Sequence, residues 1–280
     1  MKRKYQADQI WDANLFNQNP IFSDLSACLN LAEFNIFPNC KQIQQGLFKP
    51  EFSDNQYLAP YQFIAQTEDF DWQGLSYESL IFEQKTIPTR VANWHDLFNA
   101  CIWHLFPQTK TLLNHLHMAD IAQFGAKQRT KQRDAITLFD ECGVVIAYQD
   151  DAQKLALQAH LWVDIFWQQR ASWFKKIRPF IFGHAMYEMS LNPFVGLTAK
   201  AYFIRVDEAF FKQSLAKQYQ LLDGLLAADI KHNHTLVNNR SLSPLPLLGI
   251  PGWSDENNQL SYYQNTDYFR PKRQPNNKAS

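Results

Sequence analysis

The sequence has no excess of charge of either sign. Its 27 basic and 27 acidic residues cancel to a formal net charge of zero. A chain without a global electrostatic field exerts no long-range attraction on nucleic acid, on an anionic membrane or on a charged substrate. Recognition of a charged partner must therefore come from a local patch, and nucleic acid is disfavoured as a partner.

Long apolar runs and a secretory leader are also missing. No stretch reaches the roughly 18 consecutive apolar residues of a membrane-spanning helix, and the basic residues 1–4 lead into a polar segment rather than the apolar region of a signal peptide. The four cysteines lie far apart and form no Cys-x-x-Cys pair. These features predict a soluble cytoplasmic protein with reduced thiols and without membrane association.

The signatures of well-known enzyme classes are absent as well. The sequence contains no Gly-x-Ser-x-Gly motif, no glycine-rich phosphate loop, no His-Glu-x-x-His pair and no dinucleotide fingerprint. The cofactor is therefore unknown from the sequence, and a familiar catalytic class is disfavoured.

Glycine is scarce, with 9 residues in 280, whereas 15% of the chain is aromatic and 46% is apolar. Large side chains with few glycine turns favour helices, and this apolar content can cover a substantial core. The composition predicts one compact α+β unit. It should be predominantly α-helical, with one small antiparallel β-hairpin or sheet.

Three regions differ in their pattern. Residues 1–90 are punctuated by prolines and are expected to wrap the core as irregular chain and short helices. Residues 91–242 carry the helical core. Residues 243–280 are rich in proline yet contain several large apolar side chains, so they are expected to lie extended against the body.

The spacing of apolar residues places the main helices. Asn93 is predicted to cap a helix that ends before Pro107, and a second helix is predicted from Pro107 to Gly125. Further helices are predicted over residues 23–34, 152–177, 182–191 and 207–230. Residues 135–148 have apolar pieces on both sides of an acidic, glycine-containing segment, which predicts a β-hairpin.

Four ordered motifs carry a resemblance to a known family. They are NWHDLFN at 93–99, RD at 133–134 leading to LFDECG at 138–143, FGHA at 182–185, and LPLLGIPGW at 245–253. Together they resemble a bacterial family described only as domain of unknown function 3025, over about residues 93–270. The resemblance implies no reaction, cofactor or catalytic residue.

Polar residues inside apolar segments are the candidate site residues, because burying them is costly unless they are paired. His95 and Asn99 lie one helical turn apart, and so do His184 and Glu188. Arg133 and Asp134 precede the predicted hairpin. The structural alternatives are helix capping, a hydrogen bond within one helix, and a solvated surface.

A separate run of basic residues alternates with neutral ones between Lys127 and Arg133. In an extended conformation this run would line its cations along one edge and could bind phosphate. A solvated connecting segment is the alternative, and it is the commoner one.

Two hypotheses follow. In the first, the protein is an enzyme of hydrolase type in which His95, His184 and Asn99 converge with Asp134 or Glu188 in a polar cleft, and Arg133 binds an anionic group. A divalent metal bound by His95, His184 and Asp134 is an option within it. In the second, the protein is a non-catalytic binding or interaction protein, and the same residues form a structural hydrogen-bond network. A small-molecule ligand fits either hypothesis.

Overall fold

A four-stranded sheet forms the centre of the protein. The computed structural model describes residues 10–30, 34–53 and 56–273. The strands are β1 (Gln62–Ala65), β2 (Thr86–Thr89), β3 (Gly143–Tyr148), β4 (Ile177–Ile181), β5 (Thr198–Arg205) and β6 (Ser243–Pro246). The larger sheet has the order β4-β3-β5-β6, and β1 pairs with β2 in a separate sheet.

Helices surround the two sheets. Within the described residues they are α1 (Leu15–Gln18), α2 (Ser23–Cys28), α3 (Cys40–Gln45), α4 (Pro50–Ser53), α5 (Tyr77–Gln84), α6 (Trp94–Leu105), α7 (Pro107–Phe124), α8 (Lys131–Cys142), α9 (Asp151–Gln158), α10 (His184–Ser190), α11 (Glu208–Phe211), α12 (Leu215–Asn233) and α13 (Leu260–Tyr263). The prediction of a predominantly helical α+β fold is confirmed, but the strands form two sheets that contain parallel pairings, not one small antiparallel hairpin or sheet.

Strand β3 is the most protected element of the sheet. All six of its residues are buried. It pairs antiparallel with β4 and parallel with β5, so its backbone groups are bonded on both edges. A strand that is paired on both edges and covered on both faces is apolar throughout, which explains the run of Val144, Val145 and Ile146. The other sheet pairing, of β5 with β6, is antiparallel.

Helix α6 is the second centre of the core. Ten of its twelve residues are buried, so it is apolar around nearly its whole circumference, as a helix that runs through a core must be. The side chain of Asn93 accepts a hydrogen bond from the backbone N–H of Asp96 and caps the helix. Helix α7 begins at Pro107 and ends before Gly125, whose φ is 83°. Both of these helices are confirmed.

The predicted hairpin over residues 135–148 is wrong in its first half. Residues Lys131–Cys142 form helix α8, and a strand follows directly from Gly143. Thr130 caps the helix by accepting from the N–H of Arg133, and Ala135, Ile136 and Phe139 are buried on one face. The acidic pair at 140–141, read as turn residues, lies in the last helical turn. The strand partners of β3 are supplied by distant segments, so no local turn is needed.

The predicted long helix over residues 152–177 is also wrong. Helix α9 ends at Gln158, His160 is left-handed at φ 59°, and a π-helical turn at Asp164–Gln168 precedes the strand that begins at Ile177. The aromatic residues at helical spacing instead form a stack. The Phe166 ring lies 5.8 Å from that of Trp162 and 5.4 Å from that of Trp173. Their burial in this stack outweighs continuation of the helix.

The remaining helix predictions hold with changed bounds. The helix predicted at 182–191 is α10. The one predicted at 207–230 is two helices, because Ser214 starts α12 with a new cap. The helix predicted at 23–34 ends at Cys28, and residues 31–33 lie outside the described residues, as do residues 1–9 of the basic N-terminus. The proposed division of the chain into three regions stays a prediction.

The C-terminal segment packs on the body. Its strand β6 forms an edge of the larger sheet, and Leu245, Leu247 and Ile250 are fully buried. Gly249 fits between two rings, because a Cβ atom there would lie 2.8 Å from both Phe166 and Phe269. Residues 274–280, the polar end predicted to fray, lie outside the described residues.

None of the helices within the described ranges combines the length and the apolar character that crossing a bilayer requires.

Candidate functional site

A polar cavity of about 340 Å³ lies where helices α5, α6, α7, α8 and α10 meet. Its volume is at the lower end of the range for small-molecule sites. The polar side chains that line it are those of Gln66, Tyr77, Glu78, Arg90, His95, Asp96, Asn99, Lys110, Asn114, His117, Thr137, Asp140, Glu141 and His184. Three of the predicted site residues, His95, Asn99 and His184, are therefore brought together.

The two histidines contact each other directly. The Nε2 atoms of His95 and His184 are 2.9 Å apart, and their rings are nearly perpendicular at 84°. Such a contact is a hydrogen bond only if one Nε2 carries a proton and the other presents its lone pair. The pair therefore holds one shared proton between two nitrogens.

Glu188 fixes the outer histidine. Its Oε2 lies 2.8 Å from Nδ1 of His95, and the side chains of His95 and Glu188 are 28% and 23% exposed, respectively. A carboxylate accepts, so it selects the tautomer of His95 in which Nδ1 carries the proton. The Nε2 lone pair then points towards His184, whose Nε2 is the donor. The four-residue spacing had indicated a bond between Glu188 and His184 within one helix. Glu188 instead bonds to His95, which is distant in the sequence.

His184 is the inner member of the pair. Its side chain is 7% exposed, and burial lowers its pKa to about 3 even though the carboxylate of Asp140 acts in the opposite direction. It is therefore neutral at pH 7. Its Nδ1 lies 3.9 Å from Oδ2 of Asp140 and has no hydrogen-bond partner among the described residues. This nitrogen keeps an unused lone pair when Nε2 is the donor.

A buried lysine ties the other wall together. Lys110 is 6% exposed, and its Nζ lies 2.5 Å from Oδ1 of Asp140 and 3.0 Å from Oδ1 of Asn99. Asn99 in turn donates to the hydroxyl of Tyr77 at 2.8 Å. Burial acts most strongly and raises the pKa of Asp140, but Lys110, His184 and His95 together outweigh it, and the pKa lies below its ordinary value. Asp140 is therefore an anion at neutral pH.

Two glycines let the three chain segments approach. A Cβ atom on Gly183 would lie 2.4 Å from the carbonyl oxygen of Glu141, and one on Gly143 would lie 2.4 Å from that of Phe139. No real side chain tolerates such contacts. The N–H of Gly183 donates to the carbonyl of Gly143 at 2.7 Å. These glycines therefore place His184, at the start of α10, against Asp140 at the end of α8.

Arg133 and Asp134 lie outside the cavity, which corrects the expectation that they converge with the histidines. Arg133 is 5% exposed, and its Nε lies 3.0 Å from Oδ1 of the equally buried Asp120. Asp134 is 60% exposed and pairs with Arg129. Arg133 and Asp134 lie away from the cavity because this segment is a helix and not the predicted hairpin. They occupy the first turn of α8, whereas Asp140, which lines the cavity, occupies the last. The metal set of His95, His184 and Asp134 is therefore not assembled.

The basic run from Lys127 to Arg133 does not form an extended edge of cations. Its last residues lie in α8, Arg129 is paired with Asp134, and Arg133 is buried. The predicted phosphate-binding arrangement is absent from this segment.

The sequence interpretation missed Lys110 and assigned Asp140 to a turn. A signal for Lys110 exists, because Lys110, Leu113, Asn114 and His117 form one stripe at helical spacing. Three polar residues share that stripe with a leucine, and all four line the cavity. No local pattern identifies their partners, which come from α6 and α8.

In the described parts of the chain, no group of three or more histidine, cysteine, aspartate or glutamate side chains is placed to hold a metal ion. What the arrangement offers is proton chemistry. Glu188, His95 and His184 form a continuous hydrogen-bonded chain, and the cavity holds a charged ammonium group beside it.

Comparison with known proteins gives one finding. The family model described as a protein of unknown function (DUF3025) matches residues 61–273. No curated protein and no solved structure matches the chain. The match covers most of the chain and includes every residue of the cavity, and the chain therefore belongs to this family of unknown function.

Proposed function

We propose that the protein is a hydrolase that uses the His95–His184 pair for general acid and base catalysis on a small molecule. The observation that carries the proposal is the chain Glu188–His95–His184, which reaches a cavity large enough for a small substrate. A carboxylate that orients one imidazole is a recurring means of fixing the proton position for catalysis.

The pair can both accept and release a proton. In its neutral form it has one Nε2 proton and one Nε2 lone pair. A water molecule can replace His184 as the hydrogen-bond donor to Nε2 of His95. It then transfers a proton to this nitrogen while its oxygen attacks the substrate. The resulting imidazolium is stabilised by Glu188. The same proton then passes to the leaving group as its bond to the substrate breaks, so that one water is consumed and no proton is lost.

Lys110 supplies positive charge for the developing anion. Asp140 and Asn99 accept two of its three N–H bonds, and its Nζ also lies 5.4 Å from the centre of the Trp103 ring. The third N–H can donate to an oxygen that gains charge in the transition state. Mutational data on such donors give losses of about 10²–10³ in rate when one is removed. An acyl bond, either ester or amide, fits this arrangement.

A non-catalytic binding role is the second candidate, and a specific observation favours it. Lys110, Asp140, Asn99 and Tyr77 are mutually hydrogen-bonded, and networks of this kind also serve only to fix a fold. In that case the histidine pair is structural, and its removal lowers stability without affecting any turnover.

We further propose that the protein acts in the cytoplasm of a bacterium, as the motif resemblance and the composition indicate. Four free cysteines support a reducing compartment.

The test is hydrolysis of p-nitrophenyl acetate, p-nitroanilides and p-nitrophenyl phosphate by the purified protein. We expect turnover of an acyl substrate, and His95→Gln should reduce kcat/KM by about 10²–10⁴ with an unchanged melting temperature. His115→Gln is the matched control, because His115 lies on α7, packs on Phe82 and does not line the cavity. Dialysis against a chelator, then addition of Zn²⁺ or Mn²⁺, shows whether a divalent metal takes part. The binding role is supported if the unaltered protein hydrolyses none of these substrates and His95→Gln has a much lower melting temperature.

A further inference from the structure

The cavity carries an excess of carboxylates. Two cations and four carboxylates line it, which are Arg90 and Lys110 against Glu78, Asp96, Asp140 and Glu141. Arg90 is paired with Asp96 through two hydrogen bonds of 2.7 and 3.0 Å, and Lys110 is paired with Asp140. Glu78 and Glu141 form no ion pair among the described residues. Together these six side chains have a formal charge of −2.

A buried acceptor beside Glu78 has no partner. Asn114 is 4% exposed and lines the cavity. Its Nδ2 donates to the carbonyl oxygen of Glu78 at 3.0 Å and to Oε2 of Glu78 at 2.7 Å. Both N–H bonds are thereby used on acceptors, which fixes the orientation of the amide. Its Oδ1 accepts no hydrogen bond from the described residues.

An unpartnered buried acceptor is costly to a protein, at about 1–3 kcal/mol. The cost is recovered when a ligand supplies a donor. Beside Asn114 the lining includes two acceptors, Oδ1 of the amide and the carboxylate of Glu78, while Lys110 and His117 lie one turn away on the same helix. A hydroxyl group of a ligand can donate to the amide oxygen, but it does not balance the negative charge of Glu78 and Glu141. A nitrogen that carries both N–H bonds and positive charge satisfies both requirements.

We propose that the cavity binds a small substrate with a cationic nitrogen group, a primary amine or a guanidinium, which contacts Oδ1 of Asn114 and the carboxylate of Glu78. The assignment of this molecule as a substrate rests on the proposed hydrolase function, whereas its binding does not. The scissile acyl bond then lies towards Lys110 and the histidine pair. The cavity volume restricts the substrate to the size of a small metabolite rather than a folded chain.

Binding of probe molecules tests this proposal without any turnover. The probes are n-butylamine and n-butylguanidine, with n-butanol as the neutral analogue and pentanoate as the anionic one. Each is titrated into the full-length protein and into His95→Gln, with saturation-transfer NMR or calorimetry as the readout. We expect the two cations to bind at least tenfold more tightly than the alcohol, and pentanoate not to bind. His95→Gln should bind the cations as the unaltered protein does.

Substitutions locate the cation. Glu78→Gln preserves the shape and removes the charge, and a charge-assisted hydrogen bond of this kind predicts a loss of about tenfold in affinity. Asn114→Asp adds charge at the unpartnered acceptor and should tighten binding. Glu83→Gln is the matched control, since Glu83 lies on the same helix as Glu78 but is exposed and does not line the cavity. Thermal unfolding of each variant confirms that it is folded.

The possible outcomes separate the two proposals. Equal binding of pentanoate and butylamine, or amine binding that is unchanged in both Glu78→Gln and Asn114→Asp, overturns the cationic substrate. A hydrolytic activity that depends on His95 can stand in that case. The opposite result is amine binding that depends on Glu78 together with a His95→Gln variant that loses no activity. It supports the cation site and contradicts the proposed hydrolase function.

Discussion

The polar cavity and the C-terminal aromatic cluster are both largely buried, but they differ in how many of their polar atoms are satisfied. The cluster consists of the rings of Tyr262, Tyr263, Tyr268 and Phe269, which pack on Phe166. In the cluster, the amide of Asn257 donates to the carbonyls of Leu248 and Ile250, and the hydroxyls of Tyr263 and Tyr268 donate to the carbonyls of Gly249 and Leu197. In the cavity, Nδ1 of His184, Oδ1 of Asn114 and Nε1 of Trp103 have no partner within the described residues, whereas in the cluster the hydroxyl of Tyr262 lacks one.

The difference indicates what each region is for. A fully paired polar group at the edge of an aromatic stack contributes to a unique, stable packing. A cavity that leaves hydrogen-bonding capacity unused gains nothing in stability from it, and in our proposal a bound ligand uses that capacity. Folding should therefore depend most on the cluster, and chemistry on the cavity.

The largest effect is expected from removal of the C-terminal segment. Deletion from Ser243 onwards exposes the surfaces that Leu245, Leu247 and Ile250 cover. Each of these side chains contributes about 1.5–3 kcal/mol by burial, against a total stability of about 5–15 kcal/mol. We expect the truncated chain to lose its cooperative thermal transition and to aggregate. An unchanged melting temperature contradicts this account of the cluster.

A buried ion pair outside both regions should come next. Arg133→Met leaves the carboxylate of Asp120 buried without its charge partner, and the free energy of unfolding should fall by about 3–5 kcal/mol. Arg129→Met, which breaks only an exposed pair with Asp134, should change it by less than about 1 kcal/mol. Urea unfolding measures both. Equal effects of the two substitutions are incompatible with the structural role assigned to Arg133.

A third effect is a loss of stability in acid. His104 is stacked on Phe48 and Phe63 and donates to the carbonyl of Ile43, and burial lowers its pKa from 6.5 to about 4. The unfolded chain therefore binds a proton between these values that the folded chain excludes. The contribution of neutral His104 to the free energy of unfolding is complete above pH 6.5. This free energy falls by about 3 kcal/mol as the pH is lowered to 4.

The measurement is urea unfolding of the unaltered protein and of His104→Phe at pH 7 and pH 4. Phenylalanine does not titrate, so the free-energy difference between the two proteins should shift in favour of the variant by about 3 kcal/mol at the lower pH. A constant difference would falsify the assignment of a neutral buried His104.

The smallest effect on stability is expected at the cavity itself. Glu188→Gln breaks a partly buried pair but keeps a side chain of the same shape, and it should alter the free energy of unfolding by about 1 kcal/mol. The tautomer of His95 should nevertheless change, because the carboxylate that holds the proton on Nδ1 is gone. Nitrogen chemical shifts of the His95 ring measure this change. A ring that keeps its proton on Nδ1 shows that Glu188 is not its orienting partner.

Local signals predicted some elements of the cavity and missed others. Asn93 before an apolar helix, and Pro107 and Gly125 at the ends of the next one, specify α6 and α7 because capping and backbone restriction act within a few residues. The segment before Gly143 was misassigned, since its acidic residues and the following valines also suit a hairpin. Packing of Ile136 and Phe139 against the core decides for the helix.

The same limit applies to the candidate site. His95, Asn99, His184 and Glu188 stand out in the sequence as polar residues in apolar surroundings, whereas the contact of His95 with Glu188 joins residues 93 positions apart. Lys110 and Asp140 can be recognised as site residues only from the ion pair that they form in the folded protein. Arg133 has the same local character as the others, but the fold places it against Asp120.

The sequence by itself determined a helix-rich α+β protein without net charge, the bounds of its two central helices, and a short set of polar residues worth testing. The tertiary structure decided which of those residues share a cavity and that the valines after Gly143 pair with distant strands. The physical reason is range. Capping and helical periodicity act over a few residues, whereas hydrogen bonds between side chains and burial of rings depend on segments that only folding brings together.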